Sequence, residues 1–232
     1  MDKLILKTLV GSNAHGLNTK DSDLDYRGVY ITSTSDILKV NATFHPTMWV
    51  EGKEDNTAYE LVHFLHLALK SSPTILETLV SPIVESTDEG RELRRLLPKL
   101  WSSDYVVNSV RGYAHNQRKK FLDDKDERPW KYAVANIRTL LLGIELLKYG
   151  TMTVDVADQQ KVLGTAYYME HASVKETLMA MKEGYYRSKG FVIDWTNMLE
   201  KELVKAYEAN PDHKADIDEV NKFLLRMRRE NW

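Results

Sequence analysis

The chain has no cysteine among its 232 residues, which excludes disulfides, thiolate-held metals and cysteine nucleophiles together. It also lacks any apolar run near the ~20 residues that a bilayer-spanning helix needs. Met1-Asp2-Lys3 is followed by only a short apolar stretch, so no signal peptide is expected. No excess of either charge is present: 32 Lys+Arg oppose 34 Asp+Glu, giving a net charge of -2 and no global basic field to gather nucleic acid. A local basic patch stays open. These absences describe a cytoplasmic protein without membrane contact, and a hydrophobic content of 43% can furnish one large domain or two small ones.

What the chain does have is concentrated near its start. The apolar run Leu4-Ile5-Leu6-Lys7-Thr8-Leu9-Val10 leads directly into Gly11-Ser12, so a strand ends where a turn begins. Gly11 has no Cβ and lets backbone N–H groups approach an anion closely, and Ser12 adds a hydroxyl donor. After a short polar connection comes Ser22-Asp23-Leu24-Asp25-Tyr26-Arg27-Gly28. On a strand running from Leu24 to Ile31, residues two apart share a face, so Asp23 and Asp25 are expected to project together while Leu24 turns inward. Two adjacent carboxylates repel unless a cation lies between them, and hard oxygen ligands suit Mg²⁺ or Mn²⁺. Either half of the pattern is common in turns. The order of strand, Gly-Ser turn and Asp-x-Asp strand sets a phosphate cradle beside a metal, as nucleotidyl transfer requires.

Gly11-Ser12-Asn13-Ala14-His15-Gly16-Leu17 and Ser22-Asp23-Leu24-Asp25-Tyr26-Arg27-Gly28 resemble the motifs of the minimal nucleotidyltransferases of the DNA polymerase β superfamily, in particular the bacterial and phage predicted nucleotidyltransferases. Looser likeness runs through Tyr59-Glu60-Leu61 with Phe64, Ser72-Pro73-Thr74-Ile75-Leu76-Glu77, Ile137-Arg138, and Glu145-Leu146-Leu147 with Gly150. Asn136 departs from the pattern, which places a histidine there. The resemblance implies an α+β fold, a polymerase-β-like mixed sheet followed by a helical bundle, and a Mg²⁺-dependent, ATP- or other NTP-binding transferase. Its acceptor would be a hydroxyl of a nucleic acid end, a protein or a small molecule. A nucleotide-binding or antitoxin-like regulatory module with little catalysis is the alternative.

Asp23 and Asp25 are the expected metal ligands, with Gly11 and Ser12 holding the β- and γ-phosphates. A third acid is expected from a neighbouring strand near Thr57-Ala58-Tyr59. Asp55 and Glu60 lie on opposite faces of a regular strand by parity. Glu60 is preferred because it falls at a strand-to-helix junction and within the family-like Tyr-Glu-Leu, although an acid in a first helical turn is also favoured there by the helix dipole. Asn13, His15 and Arg27 stand near the cradle in sequence as further nucleotide contacts; Arg27 brings a bidentate fork for phosphate, or alternatively pairs with Asp21 or Asp25.

Strand-like patterns occupy the first third: Leu4–Val10, Leu24–Ile31, Thr47–Glu51 and Thr57–Tyr59. Helical periodicity follows, through Leu61, Phe64, Leu65, Ala68 and Leu69, then Ile75 to Leu79, and Glu89 to Leu97. Beyond Trp101 helices are expected at 105–122, 130–149 (closed by Gly150), 173–186, 195–209 and 212–229. The division expected is a catalytic core at 1–100 and a helical subdomain at 101–232. In the helical half Arg111, His115, Arg118, Lys119 and Lys120 fall at spacings that share helix faces, available to the triphosphate or a second substrate, or simply solvated.

Overall fold

The computed structural model describes residues 2–42, 45–50, 56–124, 128–163, 173–183 and 188–232. Its sheet contains β1 (Lys3–Val10), β2 (Asp25–Ile31), β3 (Thr47–Val50), β4 (Asn56–Glu60) and β5 (Ile83–Ser86), in the spatial order β3-β4-β2-β1-β5. The β2–β4 pair is parallel and the other pairs are antiparallel, so the sheet is mixed. With the helices below, this is the α+β fold expected.

The composition of β1 suits its place inside the sheet, between β2 and β5. Ile5, Leu6, Thr8 and Val10 are all buried, and a register shift between Leu4 and Leu6 allows the adjacent Ile5 and Leu6 both to be covered. Single turns follow β1 and β2, as α1 (Gly11–Ala14) and α2 (Thr34–Ile37). Glu60 then caps α3 (Leu61–Leu69), which buries Leu61, Phe64, Leu65 and Ala68 at the expected three- and four-residue steps. Pro73 opens α4 (Pro73–Val80) rather than merely ending α3, since proline at a first helical position removes a donor that has no partner there. Thr87 caps α5 (Asp88–Arg95).

The remaining helices are α6 (Ser103–Leu122), α7 (Pro129–Tyr149), α8 (Val156–Leu163), α9 (Val174–Lys182), α10 (Lys189–Ala209) and α11 (Ile217–Glu230). Gly150 closes α7 in the left-handed conformation, φ 68°, as its position after the last apolar turn predicts. No helix among the described residues is long and apolar enough to cross a membrane.

Two compact units emerge. One comprises Met1–Ala14, Asn18–Ser102 and Lys214–Trp232; the other comprises His15–Leu17 and Ser103–His213. A division at residue 100 therefore misses two features. The last helix, α11, belongs with the sheet, and a three-residue segment of the N-terminal motif belongs with the helices.

Candidate active site

The end of β1 meets the start of β2 through the Cα pair Val10↔Asp25. Gly11 takes φ +66°, a conformation in which glycine carries no steric penalty. A Cβ built on Gly11 would lie 2.2 Å from Asp25 Oδ2. The backbone of the Gly-Ser turn thus comes directly against the Asp25 carboxylate, and only glycine permits that approach. Ser12 and Asn13 follow within α1, and Asn13 Nδ2 donates to the carbonyl of Asp23 at 2.7 Å. That bond ties the turn to the segment that carries both acids.

The aspartates do not arise from one regular strand. β2 starts at Asp25, so Asp23 and Leu24 precede it, and Leu24 is exposed at 43% rather than turned inward. Asp23 is exposed and Asp25 half-buried. Strand alternation therefore orients Asp25, while Asp23 is positioned through its main chain.

Arg27 shares the parity of Asp25 on β2. Its guanidinium donates to the carbonyl of Thr74, at the start of α4, at 2.5 Å, and its own carbonyl accepts from the buried Thr8 hydroxyl at 3.2 Å. Arg27 thus fastens α4 to the sheet. His15 is buried within the second compact unit, where its carbonyl accepts from Val156 N–H at 3.2 Å.

Glu60 is placed elsewhere. Its Cα partner is Tyr30, five residues beyond Asp25 along β2, or roughly 16 Å at strand rise. The same register gives it the parity of Tyr30, opposite to Asp25. Its side chain is fully buried, and its oxygens are in use: Oε1 accepts from Arg228 at 2.5 Å and from Thr32 N–H at 3.4 Å, and Oε2 accepts from Val62 N–H at 2.7 Å. Glu60 is the acid of a buried ion pair and the cap of α3, which corrects its expected place beside Asp23 and Asp25. The partner Arg228 is the residue that sequence reasoning missed, since 168 positions separate the two. Asp55 lies outside the described residues; β4 begins at the next residue, Asn56, which pairs with Tyr26, the residue after Asp25.

Two neighbouring carboxylates match the chemistry of Mg²⁺, which binds one or two carboxylates and completes its shell with water and substrate phosphates. No cluster of three or more acidic or histidine side chains suited to a metal occurs among the described residues.

The model of the RNA repair pathway DNA polymerase beta family matches residues 2–226. An uncharacterized protein of Bacillus subtilis (strain 168), YcgL, is 25% identical over 246 aligned positions, covering 99% of this chain and 91% of that one. An uncharacterized 38.9 kDa protein of Enterobacteria phage T4 is 27% identical over 138 positions, covering 51% of this chain and 39% of the phage protein. Among solved structures, spectinomycin adenyltransferase AAD(9) from Enterococcus faecialis aligns with a TM-score of 0.46 at 15% identity, over 87% of this chain and 92% of that chain. A nucleotidyltransferase-like protein from Exiguobacterium sibiricum aligns with a TM-score of 0.31 at 9% identity, over 98% and 74%. With its mixed sheet, its Gly-Ser turn seated against Asp25 and a family match over nearly its whole length, the chain belongs to the RNA repair pathway DNA polymerase beta family and is a nucleotidyltransferase of the polymerase-β type.

Proposed function

We propose that the chain transfers a nucleoside monophosphate from a nucleoside triphosphate to a hydroxyl at an RNA end. Asp23 and Asp25 would hold Mg²⁺ or Mn²⁺, and the backbone of Gly11 and Ser12 would receive the triphosphate. The observation that carries this reading is the contact of Gly11 with the Asp25 carboxylate, because a phosphate resting on this turn would lie next to a carboxylate, and a divalent cation between the two would offset their repulsion. The RNA acceptor follows from the family's description.

In the reaction the acceptor oxygen forms a bond to the α-phosphorus, the bond from that phosphorus to the bridging oxygen breaks, and pyrophosphate departs. The hydroxyl proton passes to a carboxylate or to water. A bound divalent ion supplies activation of the attacking oxygen and neutralises charge on the leaving group. The chain's own contribution is positional. Gly11 lets the phosphates come close, Asn13 holds the Asp23 segment, and Arg27 fixes the strand that presents Asp25. Asp55 is the candidate for a third acid, since Glu60 is engaged with Arg228.

Incubation with each α-labelled NTP, Mg²⁺ or Mn²⁺ and RNA bearing free ends is expected to move label onto the RNA. Calorimetric titration of NTP with and without metal accompanies it, and binding of equal strength in both conditions would remove the proposed site. A second reading, a nucleotide-binding regulatory module, is favoured by the lack of a three-acid cluster among the described residues. Metal-dependent NTP binding with no transfer to any acceptor would select it.

A further inference from the structure

We infer that one face of α6 is a track for the phosphodiester backbone of the acceptor RNA, an inference that rests on the RNA-acceptor reading above. Five basic side chains lie along this helix between Arg111 and Lys120, and the structure sorts them. Arg118 is committed: it donates to Asn197 Oδ1 at 2.7 Å and lies 3.9 Å from Glu200 on α10. Lys120 stands 5.2 Å over the Tyr132 ring. Arg111, His115 and Lys119 recur at four-residue steps, are all exposed, and have no side-chain partner among the described residues. They span about 12 Å along the helix axis, enough for more than one phosphate.

Gly112 is the second observation. It lies in mid-helix between Arg111 and His115, exposed, and a Cβ built on it would meet nothing within 4 Å. Glycine in a helix interior weakens the helix relative to alanine, and packing gives no reason for it here. A glycine on an exposed basic face leaves the helix backbone open to close approach by a ligand. Acids flank the run at both ends in sequence, with Asp104 at the start of the helix and Asp123, Asp124, Asp126 and Glu127 after its last turn. Asp104 accepts from the Tyr207 hydroxyl at 2.7 Å, Asp124 pairs with Lys189 at 2.5 Å, and Asp123 follows Lys119 past the last turn of the helix. In a chain of net charge -2, an exposed run of cations with an open glycine is complementary to a polyanion and selects the backbone of RNA rather than its bases.

The test uses the full-length protein, a labelled single-stranded RNA oligonucleotide and a salt titration of its binding. Losing two phosphate contacts in R111A/K119A is expected to flatten the log–log salt slope by about 1.4 and to weaken binding similarly on different sequences. Gly112→Ala should raise Tm yet leave RNA binding equal or weaker, and the bulkier Gly112→Gln should weaken it clearly. Metal-dependent NTP binding, measured separately, should be unchanged in all three variants. A wild-type chain that binds RNA, with R111A/K119A binding it at the same strength and slope, overturns the track and leaves the proposed function standing. A wild-type chain that binds no RNA overturns both.

Discussion

Gly11 adopts a backbone conformation that costs an L-residue about 1–2 kcal/mol, and any side chain there would enter the space of the Asp25 carboxylate. Gly11→Ala should therefore lower stability by about that amount and abolish metal-dependent NTP binding, as read by thermal unfolding and calorimetry. Asp25→Asn separates the two effects. It keeps the volume and relieves acid repulsion, so Tm should hold or rise while transfer collapses. The two candidate third acids separate in the opposite sense. Glu60→Gln leaves the Arg228 guanidinium, 14% exposed, opposite a neutral amide, and should cost about 3–5 kcal/mol in urea unfolding. Asp55→Asn should leave the unfolding midpoint in place and reduce turnover; loss of turnover with unchanged stability in Glu60→Gln instead would return the site to Glu60. The approach of Gly11 to Asp25 was legible because the two lie in short segments close in sequence. Glu60 misled because its local context, a strand end turning into a helix, is the same whether it binds a cation or caps a helix next to a distant arginine.

Among the elements, α11 is tied at both of its ends to connections within the sheet-bearing unit. Near its start Asp216 N–H donates to Lys99 O at 2.9 Å, and Lys99 Nζ reaches the Asp216 carboxylate at 3.1 Å. Toward its end Arg228 Nη1 donates to Thr32 O at 2.9 Å, the Arg228 carbonyl accepts from the Thr34 hydroxyl at 2.6 Å, and the Asn231 carbonyl accepts from Thr34 N–H at 2.8 Å. In Arg228→Leu, hydrogen exchange should accelerate at the ends of β2 and β4 and along α11, while α6, α7 and α10 keep their protection. Uniform acceleration across all helices would show that α11 is not a local fastening. Long helices with plain punctuation were readable: α6 and α7 come within two residues of their expected bounds, and Gly150 caps as expected. β5 was not, because four residues after Pro82 with Ile83 and Val84 exposed carry no alternation, and only pairing with β1 makes them a strand. Likewise α10 begins at Lys189, capped by Ser188, six residues before the Trp195 start that periodicity suggests.

At the scale of the whole molecule, stability should have a plateau in pH with a defined edge on either side. The Lys3 ammonium, aided by the Thr87 hydroxyl, holds the Glu89 carboxyl down at about 2, from 4.5 when unfolded. Its contribution is complete above pH 4.5 and lost as pH falls toward about 2. Burial, with the charges of Asp2 and Glu60, pushes the Tyr30 hydroxyl up to about 12 from 10.0, and that hydroxyl donates to the His45 carbonyl. This contribution is complete below pH 10 and lost as pH rises toward about 12. Unfolding midpoints followed across pH should show both edges, with Lys3→Ala blunting the acid edge and Tyr30→Phe the alkaline one. The change from strand to helical periodicity along the chain was legible. Where the chain crosses between the parts was not, since neither α11 nor His15–Leu17 has a composition that tells which unit it joins.

The ion pair between Glu60 and Arg228 closes 168 residues of chain, with nearly the whole helical unit enclosed between its two ends. During synthesis the sheet strands leave the ribosome long before the residue that neutralises Glu60 exists. A nascent or prematurely stopped chain would thus carry the Gly-Ser turn and both aspartates in a sheet whose buried Glu60 still lacks its arginine. The sheet unit would reach its full stability only once residue 228 is in place, so incomplete chains would be marked for removal by their own instability before they could bind nucleotide.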